Sequence, residues 1–184
     1  MIKQYIKGKV AVFIDAANIF YSQRTLGWYI SYERLKDYFK KECDVVYLFV
    51  YTATDAGRPE QSKFIDMLKR NNFVVRTKSV KKIRIASGVY QWKGDFDVEL
   101  TLDMIDNLSR YDTAVLMSGD SDFAPVIERI KTEGKRVVVM SVKGHVSKEL
   151  LDRAKYVNLK KLRDEIELVR ENKIPPRKAG RGSS

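Results

Sequence analysis

Three short segments of this chain concentrate carboxylates where chemistry is usually done: Phe-Ile-Asp15-Ala-Ala-Asn18, Lys93-Gly-Asp95-Phe-Asp97, and Ser118-Gly-Asp120-Ser-Asp122. Each falls where an apolar run ends or a helical pattern begins. Taken singly, the acids have plainer roles: Asp122 as a helix N-cap and Asp15 as an ordinary loop acid. Taken together, Asp15, Asp97, Asp120 and Asp122 form a set that needs a counter-charge. Two carboxylates about 4 Å apart repel by roughly 4 kcal/mol at an effective dielectric near 20. All-oxygen ligation suits Mg²⁺ or Mn²⁺, which keep open positions for water and substrate phosphates. An ion held in this way activates water for attack on a phosphodiester.

The elements that must bring these acids together follow an alternating strand and helix pattern, which implies a parallel sheet covered by helices. Lys9 to Asp15 is the first strand, a continuous apolar run of the kind buried on both faces. Asn18 is read as the cap of a short helix, and Ser31 as the cap of Tyr32 to Lys41. Strands follow at Val45 to Tyr51 and Phe73 to Lys78, separated by the loop Thr52 to Arg58 and a helix starting at Pro59. Ile83–Ile85 and Val89–Trp92 form a hairpin around Ala86-Ser87-Gly88. The helix after Gly94 is expected to bury Val98, Leu102, Ile105 and Ser109.

Thr113 to Met117 and Arg136 to Ser141 are two further strands around a helix from Phe123 to Glu133, which Gly134 ends. Ser147 caps Lys148 to Ala154, Tyr156 to Asn158 adds an edge strand, and Leu159 to Glu171 is expected to be an amphipathic helix with Leu162, Ile166 and Val169 on one stripe. In a parallel sheet all strands point to one edge, so Asp15 and Asp120 share a crevice there. Asp122 belongs to the same loop. Asp97 occupies the first turn of its helix, about 100° from Val98 and so at the border of the expected buried stripe.

Composition limits what the crevice serves. The chain has 184 residues, 44% hydrophobic, enough for one substantial core. Lys and Arg number 35 against 24 acids, a net charge of +11, and such an excess attracts polyanions. A lone cysteine, Cys43, and a lone histidine, His145, exclude an internal disulfide and any Cys/His zinc site. Cys43 reads as a small, half-buried residue and His145 as a loop residue. Trp28, Tyr29 and Tyr32 either pack the helices or line a partner surface. No signal-peptide core or membrane-length apolar run is present, so a soluble cytoplasmic protein is expected.

The basic residues are distributed toward the crevice. Arg76, Lys78, Lys81, Lys82 and Arg84 precede or enter the hairpin, Lys93 leaves it, and Arg58 lies in the loop after the second strand. One reading has them guiding phosphates, with Tyr90 and Trp92 stacking unpaired bases of single-stranded RNA. The other is a solvated ribbon with its aromatics packed on the body. Competing enzyme classes fit poorly: receiver domains need paired acids at the first strand, haloacid-dehalogenase-type phosphatases need Asp-x-Asp there, and a dinucleotide site needs a glycine-rich first turn.

The three acidic segments, with Leu-Thr-Leu-Asp103 after the second and Glu128-Arg-Ile-Lys-Thr-Glu-Gly134-Lys-Arg-Val after the third, closely resemble the NYN domain of the LabA-like branch of PIN-like nucleases, from about Lys9 to Lys155. The resemblance implies a three-layer, Rossmannoid PIN-like α/β fold with a mainly parallel sheet, and metal-dependent ribonuclease activity. It assigns Asp15, Asp97, Asp120 and Asp122 to Mg²⁺ or Mn²⁺, with Asn18 and Ser118 in support. The family often has a small apolar residue where this chain has Asp95-Phe96, which makes Asp95 an N-cap or an outer ligand. Asp103 also matches but lies about 120° around the helix from Asp97, which makes it a second-tier residue. The alternative is a non-catalytic RNA-binding or regulatory module. The expected organisation is a nuclease domain over 1–158, a helix over 159–172 and a flexible basic tail over 173–184, with a homodimer left open.

Overall fold

The computed structural model describes residues 1–54, 59–86, 89–93 and 95–169, with 81–86 and 89–93 described in backbone only. Six parallel strands form the central sheet: β1 (Lys9–Asp15), β2 (Asp44–Thr54), β3 (Val74–Ser79), β6 (Thr113–Met117), β7 (Arg136–Ser141) and β8 (Lys155–Asn158). Their order across the sheet is β3-β2-β1-β6-β7-β8. The hairpin β4 (Lys81–Ala86) and β5 (Val89–Lys93) pairs separately and antiparallel.

Val10 to Ile14 is fully buried because β1 lies mid-sheet with a core on each face. Successive side chains alternate between the faces. Val10, Val12 and Ile14 join Leu48, Val50, Val115, Met117, Val138 and Met140 in one core. That face is covered by α1 (Ala16–Leu26), α2 (Tyr32–Glu42) and α3 (Pro59–Arg70), which contribute Ile19, Leu35, Phe39 and Leu68. Ala11, Phe13, Phe49, Tyr51, Leu116 and Val139 join the other core. There the cover is α4 (Asp97–Asp106), α5 (Ala124–Thr132) and α6 (Lys148–Arg153), through Leu100, Met104, Ile127, Ile130 and Leu150. The architecture is thus the three-layer α/β arrangement expected from the sequence. None of the described helices is long and apolar enough to cross a membrane.

The structure departs from expectation at three places that bear on the site. First, α4 buries Leu100 and Met104, with Phe96 just before it, whereas Val98 and Leu102 are 67% and 54% exposed. Two apolar stripes compete on this helix. The one that wins continues Phe96 at four-residue spacing, so it can stack along the Phe49–Tyr51–Phe96 row of rings.

Second, the cap of α1 is Asp15, not Asn18, which frees the asparagine side chain. Third, the chain after β8 does not continue as one helix from Leu159. It makes a 3₁₀ turn at Leu159–Leu162, then α7 (Arg163–Ile166). Leu162 and Ile166 are buried as expected, but Val169 is 65% exposed. The 29–31 segment and Arg34 of α2 satisfy the backbone here instead: Ser31 N–H donates to Ile166 O at 2.8 Å, Leu168 N–H to Tyr29 O at 2.7 Å, and the Arg34 guanidinium to Glu167 O at 2.8 Å. These bonds replace those a longer helix would make. The expected tail over 173–184 lies outside the described residues.

Ser31 caps α2, Ser147 caps α6, and Gly134, at φ 73°, ends α5. β2 runs three residues past its expected end to Thr54, because β3 keeps pairing with it as far as Thr54↔Ser79. Trp28 and Tyr32 are buried, but Tyr29 is more than half exposed. Cys43 is half-buried, and burial pushes its thiol up to about 11, so it is no nucleophile at neutral pH.

Candidate active site

The sheet order reverses between β1 and β6: from β1 the chain moves out to β2 and β3, then returns to β6 on the other side. A crevice opens at such a switch point, beyond the carboxyl ends of the two strands. Asp15 ends β1, and Ser118-Gly-Asp120 follows β6 directly.

Asp15 is pinned by its position as helix cap. Its Oδ1 accepts the N–H groups of Ala17 at 3.0 Å and Asn18 at 3.1 Å, satisfying two of the free donors at the start of α1. Its Oδ2 accepts the Ser118 hydroxyl at 3.2 Å. Burial raises this carboxyl above the usual aspartate value; the Asn18, Ser118 and Ala17 donors oppose the rise, and the charge of Asp120 adds to it. Fully buried Ser118 ties the two strand ends together, since its Oγ also accepts the Asp120 N–H at 3.3 Å. Asn18 makes a second tie, its Oδ1 accepting the Gly119 N–H at 3.2 Å.

Asp120 caps the 3₁₀ turn Ser121–Phe123 by accepting the Asp122 N–H at 3.0 Å. Asp122 itself caps nothing: the residue before α5 is Phe123, which makes no side-chain cap. The plainer role available to Asp122 on sequence grounds is therefore taken by Asp120.

Asp97 opens α4 and is half-buried, with the helix lying against β1 and the Ser121–Phe123 turn. Its carboxyl is pushed up to about 6, first by burial and then by the charges of Asp120, Asp95, Asp15 and Asp122. Relative to Leu100 in the buried stripe, Asp97 sits about 60° to one side and Asp103 about 60° to the other. The helix thus points its acids two ways. Asp97 joins the field of the crevice.

Asp103 belongs to a separate network. It accepts the Tyr51 hydroxyl at 2.9 Å and the Arg76 guanidinium at 2.9 Å through both Nε and a terminal nitrogen. Glu99, on the same flank, takes Lys78 at 2.8 and 3.0 Å, and the Lys78 ammonium sits 4.6 Å from the centre of the Phe96 ring. Arg76 and Lys78 therefore clamp β3 to α4. In the hairpin, Lys81 pairs with Lys93, Lys82 with Trp92, and Arg84 with Tyr90. Their side chains, and all of Arg58, lie outside the described residues.

Sequence reasoning missed the brace behind the Asp120 loop. A Cβ on Gly119 would stand 1.6 Å from the His145 carbonyl oxygen, so only glycine fits. Gly119 O accepts the Ser147 N–H at 2.9 Å, and His145 Nε2 hydrogen-bonds Thr25 Oγ1 of α1 at 2.6 Å. The loop after β7 is thereby tied to the Asp120 loop and to the C-terminal turn of α1, the helix that Asp15 caps. The glycine in Ser118-Gly-Asp120 was the available signal, but its neighbour lies 26 residues on.

Chemically, the site gathers carboxylates in one field, and burial with the charges of neighbouring acids raises two of them, Asp15 and Asp97. The donors are all oxygen, which suits a hard divalent ion. Among the described residues, no three His, Cys, Asp or Glu side chains stand close enough to enclose a metal as they are.

Comparison with known proteins puts this arrangement in context. Residues 9–160 match the NYN domain family. The chain is 31% identical over 163 residues to the low amplitude and bright protein LabA of Synechococcus elongatus, covering 86% of this chain and 88% of that protein. It also matches the crystal structure of a protein of unknown function from Vibrio parahaemolyticus, with a TM-score of 0.74 at 29% identity, over 88% of this chain and 97% of that one.

Proposed function

Since this chain belongs to the NYN domain family, we propose that it is a metal-dependent ribonuclease that hydrolyses phosphodiester bonds in RNA. The observation that carries the reading is the gathering of Asp97 with Asp120, Asp15 and Asp122 at the switch point between β1 and β6, where burial first and then the neighbouring charges push its carboxyl to about 6. Perturbed acids in a crevice are where acid–base and metal chemistry is done.

Asp15, Asp97, Asp120 and Asp122 are the residues that would hold Mg²⁺ or Mn²⁺. The bound ion supplies a Lewis acid that activates water and offsets charge on the phosphate. The chain's own residues do the rest. Asp15 is held by its two backbone donors on Oδ1 and by Ser118 on Oδ2, which leaves Oδ2 with acceptor capacity for an ion. Ser118 and Asn18 fix the spacing of the β1 and β6 ends, and Gly119 lets the loop after β7 press the Asp120 turn into place. Without the ion the Asp97 carboxyl is pushed up to about 6 by burial and by its neighbours' charges, and a divalent cation held there would offset that crowding. The excess of +11 draws the polyanion in.

A second reading, a non-catalytic RNA-binding module, draws on the absence of a ready-made metal cage among the described residues. One experiment separates the two. Purified protein is incubated with labelled single-stranded RNA in Mg²⁺ or Mn²⁺, beside Asp120→Asn. The nuclease reading requires cleavage by wild type and loss of most of it in the variant. If both bind RNA equally and neither cuts it, the binding module is correct; if DNA is cut and RNA is not, the substrate class is wrong.

A further inference from the structure

The carboxylate crevice continues into a second concave surface. Ala16 and Ala17, the two residues after Asp15, form one rim of a cavity of about 820 Å³ between α1, the start of α2, the end of β2 and α3. Its outer wall is aromatic. Phe20, Tyr21 and Tyr29 are 53%, 56% and 57% exposed, a concentration of open rings that the other described residues leave uncovered. The floor is firm: buried Tyr32 meets Phe64 edge-on at 5.1 Å and Phe73 at 6.0 Å. The rings therefore stand on a packed base.

The described lining carries no Lys or Arg, but a cation stands beside it, over two of its rings. The Arg24 guanidinium lies 5.5 Å from the Phe20 ring centre and 5.4 Å from that of Tyr21. Asp15, Phe20 and Arg24 follow one another along α1, about 7–8 Å and then about 13–14 Å from the cap at 1.5 Å per residue. Moving outward from the acids, the helix offers an aromatic face and then a planar positive group. Open rings beside a guanidinium suit a nucleotide: the ring accepts the flat base, and Arg meets the phosphate. The opposite side of the cavity carries Glu33 and Glu60. Those carboxylates repel a phosphate backbone, so phosphates run on the Arg24 side and base edges, with their amino donors, face the acids.

We propose that this groove binds one or two unpaired bases of the RNA strand next to the scissile phosphate, stacked on Phe20 and Tyr21, with Arg24 on the intervening phosphate. The proposal rests on the ribonuclease reading and adds to it a single-strand requirement and a site for it. It places base stacking on α1 rather than on the hairpin aromatics.

The test uses the full chain and single-stranded oligoribonucleotides, intact or carrying abasic sites beside the cleavage position, with affinity read by anisotropy and cleavage followed in Mn²⁺. Phe20→Ala combined with Tyr21→Ala removes two exposed rings together with their contacts to Arg24, which Arg24→Gln tests separately. It should weaken binding of the intact strand about tenfold or more, the scale of a lost base–aromatic stack. Abasic sites should weaken wild type similarly and leave the double variant unaffected, since both changes remove one contact. Arg24→Gln should lower the salt dependence of binding by about one phosphate contact. If wild type binds and cuts the strand while the ring variants and abasic strands behave like their parents, the groove assignment is overturned and the nuclease reading stands. If wild type binds no single-stranded RNA, both fall. If the double variant breaks a dimer in sedimentation and leaves RNA affinity unchanged, the occupant is a second copy and the proposal is overturned.

Discussion

Removing the charge of Asp97 should stabilise the metal-free protein, because that charge is partly desolvated and is held against its neighbours. The folded carboxyl titrates at about 6 and the unconstrained one at 3.8. The sign follows directly. Below about pH 4 the group is largely neutral in both states and Asp97→Asn changes little. Between about 4 and 6 the folded state keeps a proton that the unfolded state has lost, so wild-type stability falls as pH rises, and above about 6 the full penalty is present. The gap of roughly two units corresponds to about 3 kcal/mol at most. Asp97 is only half-buried, and solvent and salt screen its neighbours, which reduces the expected effect to about 1 kcal/mol.

For a domain of this size that is roughly 2–4 °C in melting temperature. The assay is thermal unfolding of wild type and Asp97→Asn in EDTA, from pH 4 to pH 8. The variant should melt higher at pH 8 and alike at pH 4. Addition of Mn²⁺ should reverse the order, because a ligand that binds the folded wild type at a hundred times its Kd adds about 2.7 kcal/mol. A variant less stable than wild type at pH 8 in EDTA would refute the reasoning: the carboxylate would then be a structural partner and not a repelled charge.

Two other substitutions separate the site from its scaffold. Gly119→Ala should cost at least about 2 kcal/mol, since its methyl meets the backbone oxygen of His145 and the loop must move; melting should fall by about 4–8 °C, with cleavage lost, and a variant that melts like wild type would show that the loop yields freely. Asp103→Ala leaves the buried Tyr51 without its hydroxyl acceptor and Arg76 without its partner, at a cost of about 1–3 kcal/mol in chemical denaturation. Cleavage by the folded variant should be essentially unchanged, and a large drop in rate would move Asp103 into the catalytic set.

Much of the fold could be read from pattern alone. Arg136–Ser141 and Lys9–Asp15 are bounded by charge or by a turn, and their continuous apolar runs admit only buried strands. Ser31 and Ser147 announce their helices because capping is a local interaction. The misses came where two local patterns were equally good. α4 carries apolar residues on two stripes, and nothing within the helix says that Phe96 and Leu100, rather than Val98 and Leu102, meet the rings of β2. Leu159–Glu171 has helical spacing, yet its backbone partners lie in the 29–31 segment, far away in sequence.

The same division holds for the site. Residue types and their order along the chain determined that carboxylates end β1 and follow β6, and parallel topology alone requires those ends to meet. Their identity as a set was legible because strand direction is a one-dimensional property. Only the tertiary structure decided what each acid touches: Asp15 rather than Asn18 caps α1, Asp103 turns away to Arg76 and Tyr51, and Asp97 is raised by burial and then by charges from three separate segments. The Gly119–His145 contact and the aromatic cavity beside Ala16 belong to this second kind as well. Contacts between distant segments depend on how helices settle on the sheet, and that is set by packing across the whole core rather than by any one stretch of chain.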